Sequence, residues 1–222
     1  MSAFFQVIRL CPNYFRLLFC LVISQPILAD TDSPVNITTE IPYVDVMHKG
    51  KNIRIERIQE QGNLIDLDYA QTSRPCPPFC IQPIQLATGI ETIGELEVLK
   101  YLQKLSKNDS VIVIDSREPK WLKNGMIPGA INIPWTALYN KTATDEAIAN
   151  IFQLQFDVIL SGKLWNFQNA KTLVFYCNGA WCGQSPTNIR SLLSLGYPAH
   201  RIKWYRGGMQ SWKQLGLTTV TP

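Results

Sequence analysis

The chain has 222 residues and a formal net charge of +4, with 46% hydrophobic and 17% charged residues. That is enough apolar material for one domain of ordinary size with an appendage. No Lys/Arg stripe is clustered along it, which argues against a nucleic-acid partner.

Residues 1–29 read as a leader. Arg9 and Arg16 precede an apolar stretch at 17–23, Pro26 interrupts it, Ile27-Leu28-Ala29 follows, and no acidic residue occurs before Asp30. A basic start, a short apolar core and a small residue at the cleavage position describe a secretory signal peptide cut near Ala29. The apolar core is short for a membrane span. The expectation is therefore an exported, periplasmic protein without stable membrane insertion after cleavage, with an N-terminally anchored form as the alternative. A lipoprotein start at Cys20 is disfavoured by the bulk of Phe19. Without Arg9 and Arg16, the 21 basic residues fall almost to parity with the 17 acidic ones. Cys11 and Cys20 leave with the leader, so Cys76, Cys80, Cys177 and Cys182 meet an oxidising compartment.

Residues 30–42 are mostly polar, with Pro34 and Pro42, and form a leader segment to the fold. Short alternating runs follow at 43–47, 52–58 and 64–68, separated by His48-Lys-Gly-Lys51 and by a stretch carrying Gly62. Alternation with Gly-containing turns predicts a three-run β-meander, which needs something to pack against. A proline-rich link at 74–83 contains Cys76-Pro-Pro-Phe-Cys80.

From residue 90 the rhythm becomes α/β. Apolar positions 96, 98, 99, 102 and 105 predict a helix over 94–106. Strands are expected at 111–114, 131–133, 172–176 and 202–204, and helices at 144–152, 186–195 and 209–215. Residues 157–169 give no clear pattern. Strands alternating with helices imply a parallel sheet covered on both faces. The division is thus a leader at 1–29, a β-rich extension with its Pro/Cys linker at 30–89, and an α/β domain at 90–222.

The most informative run is Thr172-Leu-Val-Phe-Tyr-Cys177-Asn-Gly-Ala-Trp-Cys182-Gly-Gln-Ser185-Pro186. A buried strand ends at a cysteine, and a small-residue loop leads into a helix start. Backbone amides and a helix N-terminus stabilise a thiolate in that position, and the thiolate is the nucleophile. A sulfur-transfer or redox site is the first reading.

Four pieces together resemble the rhodanese (sulfurtransferase) family over about residues 90–220. Val111-Ile-Val-Ile-Asp-Ser-Arg117 looks like its opening strand and Asp-x-Arg. Gly125-Met-Ile-Pro-Gly-Ala-Ile-Asn-Ile-Pro134 is similar to its Gly-His-Ile-Pro-Gly-Ala signature. Val174-Phe-Tyr-Cys177 matches the strand that delivers the active-site cysteine, and Tyr205-Arg-Gly-Gly-Met-Gln-Ser-Trp212 matches the closing Gly-Gly and tryptophan helix. The resemblance implies a rhodanese-like parallel sheet with helices on both faces, in an exported, bacterial-type protein with a single such domain. It departs from the family at Met126, where the signature has histidine, and in a loop after Cys177 that lacks Arg or Lys and is about two residues longer than in compact members. The arginine that related phosphatases use to hold phosphate is absent at 182–184, which disfavours phosphatase chemistry.

The resemblance implies that Cys177 takes a sulfane sulfur, holds it as a persulfide and passes it on. A small sulfur-containing donor and a thiol acceptor, either a small molecule or a protein, are the implied partners. The loop Asn178, Gly179, Ala180, Trp181, Cys182, Gly183 and Gln184 would stabilise the sulfur anion with its amides, Gly179 and Gly183 permitting positive φ. Cys182 is either a partner of Cys177, resolving the persulfide or shuttling disulfide electrons, or a second thiol that never meets it. Asp115 and Arg117 either support the loop or form an ion pair that ties the strand end.

Cys76 and Cys80 form a local disulfide, a cross-link to the active loop, or a zinc site; the last is disfavoured because neither C-x3-C nor C-x4-C is the usual C-x2-C spacing. No metal and no cofactor is expected. Trp181 is expected to shape access, Trp121, Trp135, Trp204 and Trp212 to be core or helix-packing aromatics, and His200 to lie on the surface. The leading function is a persulfide-forming sulfurtransferase. The alternatives are a thiol-disulfide redox protein using Cys177 and Cys182, and a non-catalytic binding module.

Overall fold

A computed structural model describes residues 33–162 and 164–222; the expected signal peptide at 1–29 lies outside them. The chain first forms a hairpin of β1 (Tyr43–His48) and β2 (Lys51–Glu56), joined at Lys49 (φ 48°) and Gly50 (φ 76°). Two consecutive left-handed residues suit the right-handed twist of the flanking strands. The third strand of the expected meander is absent. Residues 67–70 instead form a short helix, α1 (Leu67–Ala70), whose Tyr69 is buried and donates its hydroxyl to the Asn124 carbonyl at 2.9 Å. The end of β2 is engaged by the C-terminal segment: Ile58 N–H donates to Gly216 O at 2.8 Å and Thr218 N–H to Glu56 O at 3.0 Å. Backbone groups satisfied from there have no need of a third meander strand.

Beyond the linker come β3 (Glu91–Ile93), α2 (Glu95–Leu105), β4 (Val111–Asp115), β5 (Ile131–Asn132) and α3 (Asp145–Gln155). The side chain of Thr144 accepts Ala147 N–H at 3.2 Å and so fixes the start of α3. The unpatterned stretch holds a small antiparallel pair, β6 (Ile159–Ser161) and β7 (Leu164–Asn166). Then follow β8 (Thr172–Tyr176), α4 (Gln184–Ser194), β9 (Ile202–Tyr205) and α5 (Gly208–Gln214).

Five parallel strands pair in the order β3-β9-β8-β4-β5. β3 has no counterpart among the expected strands, because a three-residue edge strand offers too little periodicity to register. Every residue of β4 is buried, as are four of five in β8, as two-sided coverage requires. The period of two divides their side chains between two cores. Val111, Val113, Val174 and Tyr176 join α2, α5 and the hairpin residues Val44, Val46 and Ile55. Ile112, Ile114, Leu173 and Phe175 join α3 and α4 on the other face. The extension therefore packs into one core of the α/β sheet, and residues 34–222 form one unit by contact. Among the described residues no helix is long and apolar enough to cross a membrane.

Candidate active site

β8 carries Cys177 out of the middle of the sheet, and α5 fixes the loop after it. Met209 N–H donates to Cys177 O and Gln210 N–H to Asn178 O, both at 2.9 Å. The approach depends on Gly208 at φ +55°, where a Cβ would overlap the Cys177 carbonyl oxygen. Cys182 N–H closes the loop on Gly179 O at 2.9 Å.

Positive φ is not what Gly179 and Gly183 contribute, contrary to expectation. Gly183 caps α4 at φ −88°, and Gly179 lies outside the left-handed region. Gly179 instead makes room: a Cβ there would stand 3.0 Å from Gln210 Oε1 and 3.1 Å from Trp181 Nε1, two atoms that hydrogen-bond each other at 2.8 Å.

Cys177 and Cys182 are both free and both 3% exposed. As a thiol, Cys177 donates to the Cys182 carbonyl at 3.5 Å. Asn178 Nδ2 donates to Cys182 Sγ at 3.9 Å, and Cys182 Sγ donates to Gln184 Oε1 at 3.8 Å. The two sulfurs ionise differently. Burial works against a Cys177 thiolate, but the Cys182 thiol, the Ser185 amide and hydroxyl and the Asn178 amide outweigh it and leave the Cys177 pKa lowered. Burial and then the neighbouring Cys177 push Cys182 well above the ordinary thiol value. Of the two, Cys177 is the one whose surroundings favour the thiolate, the form in which a cysteine reacts, and Cys182 the one they keep protonated.

Ser185 is a site residue that the sequence pattern does not reveal. Its hydroxyl is fully buried and makes no hydrogen bond of normal geometry, yet it faces Cys177. An ionised sulfur at Cys177 is the acceptor that satisfies it. In the sequence, the Ser185-Pro186 pair marks only a helix start. Asn188, one turn on, donates to Ser116 Oγ at 3.1 Å and ties α4 to the end of β4.

Asp115 and Arg117 form a fully buried ion pair at 2.6 Å. Arg117 also donates to Gly125 O at 2.7 Å, which fastens the 119–124 turn to the strand end. Burial opposes its charge, and Asp115 more than offsets that and holds it protonated. Its hydrogen bonds run to the strand end and this turn, so of the two readings the tie is the one the geometry supports. Met126, at the signature's histidine position, is buried in the core and pairs its N–H with Val220 O at 2.8 Å.

Residues 98–215 match the Rhodanese-like domain family. The chain belongs to that family. No curated protein sequence matches it. Solved structures similar to this rhodanese-like chain include the 3-mercaptopyruvate sulfotransferase SseA of Escherichia coli, with 22% identity over 52% of this chain and 39% of SseA (TM-score 0.36). The As-Sb reductase of Leishmania major has 21% identity over 55% of this chain and 76% of its own (TM-score 0.38). A Rhodopseudomonas palustris protein of unknown function, described as a possible tyrosine phosphatase, has 22% identity over 61% and 88% (TM-score 0.42).

The segment at 74–82 lies outside the matched rhodanese-like region and rests on the site loop. Cys76 and Cys80 are joined to each other by a disulfide, with Cα atoms 4.7 Å apart, which leaves Cys177 and Cys182 unlinked to them. Gln82 N–H donates to Ala180 O at 2.8 Å, and Arg206 donates twice to Gln82 O at 2.8 and 3.1 Å. Phe79 meets Trp181 edge-on at 5.6 Å, and Arg74 lies 3.8 Å over the same ring. Sequence patterning could not find these contacts, because each joins residues about a hundred positions apart.

A cavity of about 430 Å³ opens between this strap and the loop, with Asn178, Cys182, Gly183 and Gln184 on its wall. Trp121 and Trp135, expected as core or helix-packing aromatics, line it; Trp204 and Trp212 are core residues. A wider hollow of about 870 Å³ lies elsewhere, at residues 66–69, 123–125 and 219–221. His200 is exposed, and the described residues contain no cluster of three or more metal-ligating side chains.

Proposed function

We propose that the protein is a sulfurtransferase that forms a persulfide on Cys177. The observation that carries this reading is the placement of Cys177 at the end of β8, with its backbone fixed by Met209 N–H and with the buried, unpaired Ser185 hydroxyl in the helix start after its loop. These surroundings also favour its thiolate over that of Cys182. The Cys177 thiolate attacks the outer sulfur of a donor R–S–SH. The donor S–S bond breaks, R–S⁻ leaves with the electron pair, and Cys177 carries the S–SH group. An acceptor thiolate then attacks the outer sulfur and releases the Cys177 thiolate. Donors in the loop hold negative charge on sulfur throughout, so little reorganisation accompanies either step.

The test is hydrosulfide release from cysteine persulfide with dithiothreitol as acceptor. Multiple turnovers in wild type and none above background in Cys177→Ser support the reading; equal rates refute it.

A second reading, thiol-disulfide exchange by Cys177 and Cys182, is favoured by two free, buried thiols in one loop, with the Cys177 sulfur 3.5 Å from the Cys182 carbonyl oxygen. It predicts a reversible loss of two hydrogens confined to the peptide that carries both cysteines. We also propose that the protein works after export, in the periplasm. The leader-like pattern at 1–29 supports this, as does a Cys76–Cys80 disulfide on the rim of the site.

A further inference from the structure

The cavity beside Cys182 is built from three parts of the chain. The strap supplies Pro78 and Phe79, the loop supplies Trp181 and Cys182, and Trp121 and Trp135 close the side. Four of these six side chains are aromatic. The charged residues on its wall are Glu118 and Lys120, which neutralise each other at 2.5 Å. Arginines around the cavity are engaged: Arg74 lies on the Trp181 ring, Arg206 donates to Gln82 O, and Arg117 is paired with Asp115.

An anionic group entering this space would lose water without gaining a free cation, and that desolvation is costly. A flat apolar group would gain burial against aromatic faces and edges. A volume of about 430 Å³ suits a small organic molecule rather than a peptide segment. Asn178 and Cys182 are on its wall, and they are the residue that follows Cys177 and the residue whose carbonyl accepts the Cys177 hydrogen bond; Cys177 itself lies behind them. A bound donor would therefore present its sulfur to the loop while its substituent stays among the rings.

We propose that the disulfide-stapled strap completes a substrate site selecting sulfur donors with an aromatic or apolar substituent over small anionic ones. This rests on the sulfurtransferase reading for the reacting sulfur, but not for the binding itself. The step is again attack of Cys177 on the outer sulfur, with R a benzyl-like group: R–S–SH loses that sulfur to Cys177 and departs as R–S⁻. Phe79 is the specificity residue contributed from outside the family domain. It is 37% exposed, so its truncation leaves the core intact.

Two donors with the same reacting bond separate the effects: benzyl persulfide and the persulfide of 2-mercaptoethanesulfonate. Loading of Cys177 is followed by intact mass, each rate divided by that of the same donor toward free cysteine. Wild type should favour benzyl persulfide about tenfold or more, as expected for one buried apolar group, and Phe79→Ala should cut that ratio at least by half. Binding is read separately by calorimetry on Cys177→Ser with thioanisole, which has no transferable sulfur. Saturable binding weakened by Phe79→Ala is expected. If neither donor loads Cys177 but thioanisole binds in this way, the cavity assignment stands and the transfer reading falls. Equal or inverse donor preference, a ratio unchanged in Phe79→Ala, or no thioanisole binding overturns the proposal.

Discussion

Gly208 is packed so tightly against Cys177 that a Cβ at Gly208 would stand only 2.3 Å from the Cys177 carbonyl oxygen. The loop that holds the thiol is thereby set by the start of α5, some thirty residues later in the chain. Gly208→Ala adds both this clash and an unfavourable positive φ. It should cost roughly 1–3 kcal/mol in urea denaturation and slow persulfide formation at Cys177. Unchanged stability and unchanged loading would mean that the loop is not fixed from α5.

Cys177 should ionise below the ordinary thiol range, read as the pH dependence of its alkylation by iodoacetamide. Ser185→Ala removes a hydroxyl that faces the anion and should move that profile upward. The same shift has a consequence for stability. A proton released more readily by the folded than by the unfolded chain makes wild type gain stability over Cys177→Ser as pH rises from the folded value toward the ordinary one. On acidification below the folded value that advantage disappears. Cys182 acts with the opposite sign, at and above the ordinary thiol range. Chemical denaturation of both proteins across pH measures the difference.

Cys182→Ala removes a neighbouring thiol that can donate to the Cys177 thiolate and should raise the Cys177 alkylation profile. Loading by cysteine persulfide near neutral pH should fall roughly tenfold, the worth of one hydrogen bond to a charged group. A profile identical to wild type would show that the second thiol is a bystander.

The Asp115–Arg117 pair acts on stability. Asp115→Ala leaves the Arg117 guanidinium buried without its partner and should cost about 3–5 kcal/mol. Its alkylation profile at Cys177 should stay near wild type under conditions where the variant is folded. A large change in that profile would give the pair a role in the loop.

Much of this organisation is legible in the residues. The apolar run of β8 stopping at Cys177 announces a strand end with a thiol, because a central parallel strand must be apolar on both faces. The stripe at 98, 99 and 102 gives α2 for the same kind of reason. The hidden part is long-range. The run at 64–68 alternates like a strand, but the end of β2 is occupied by residues 216–218, which no local pattern reports. Trp121 and Trp135 carry the composition of core residues, and only the strap at 74–82 explains why they face a cavity. Gly179 needs space rather than a left-handed backbone, a distinction that composition does not encode. Ser185 gives no signal beyond its place at a helix start.

The chemistry proposed for this site turns on Cys177 carrying the transferred sulfur. Wild-type protein treated with one equivalent of cysteine persulfide and mapped by mass spectrometry should gain one sulfur atom on Cys177. The added atom should be lost with dithiothreitol. Sulfur found on Cys182 alone, or an unmodified Cys177 in a folded protein, would contradict it.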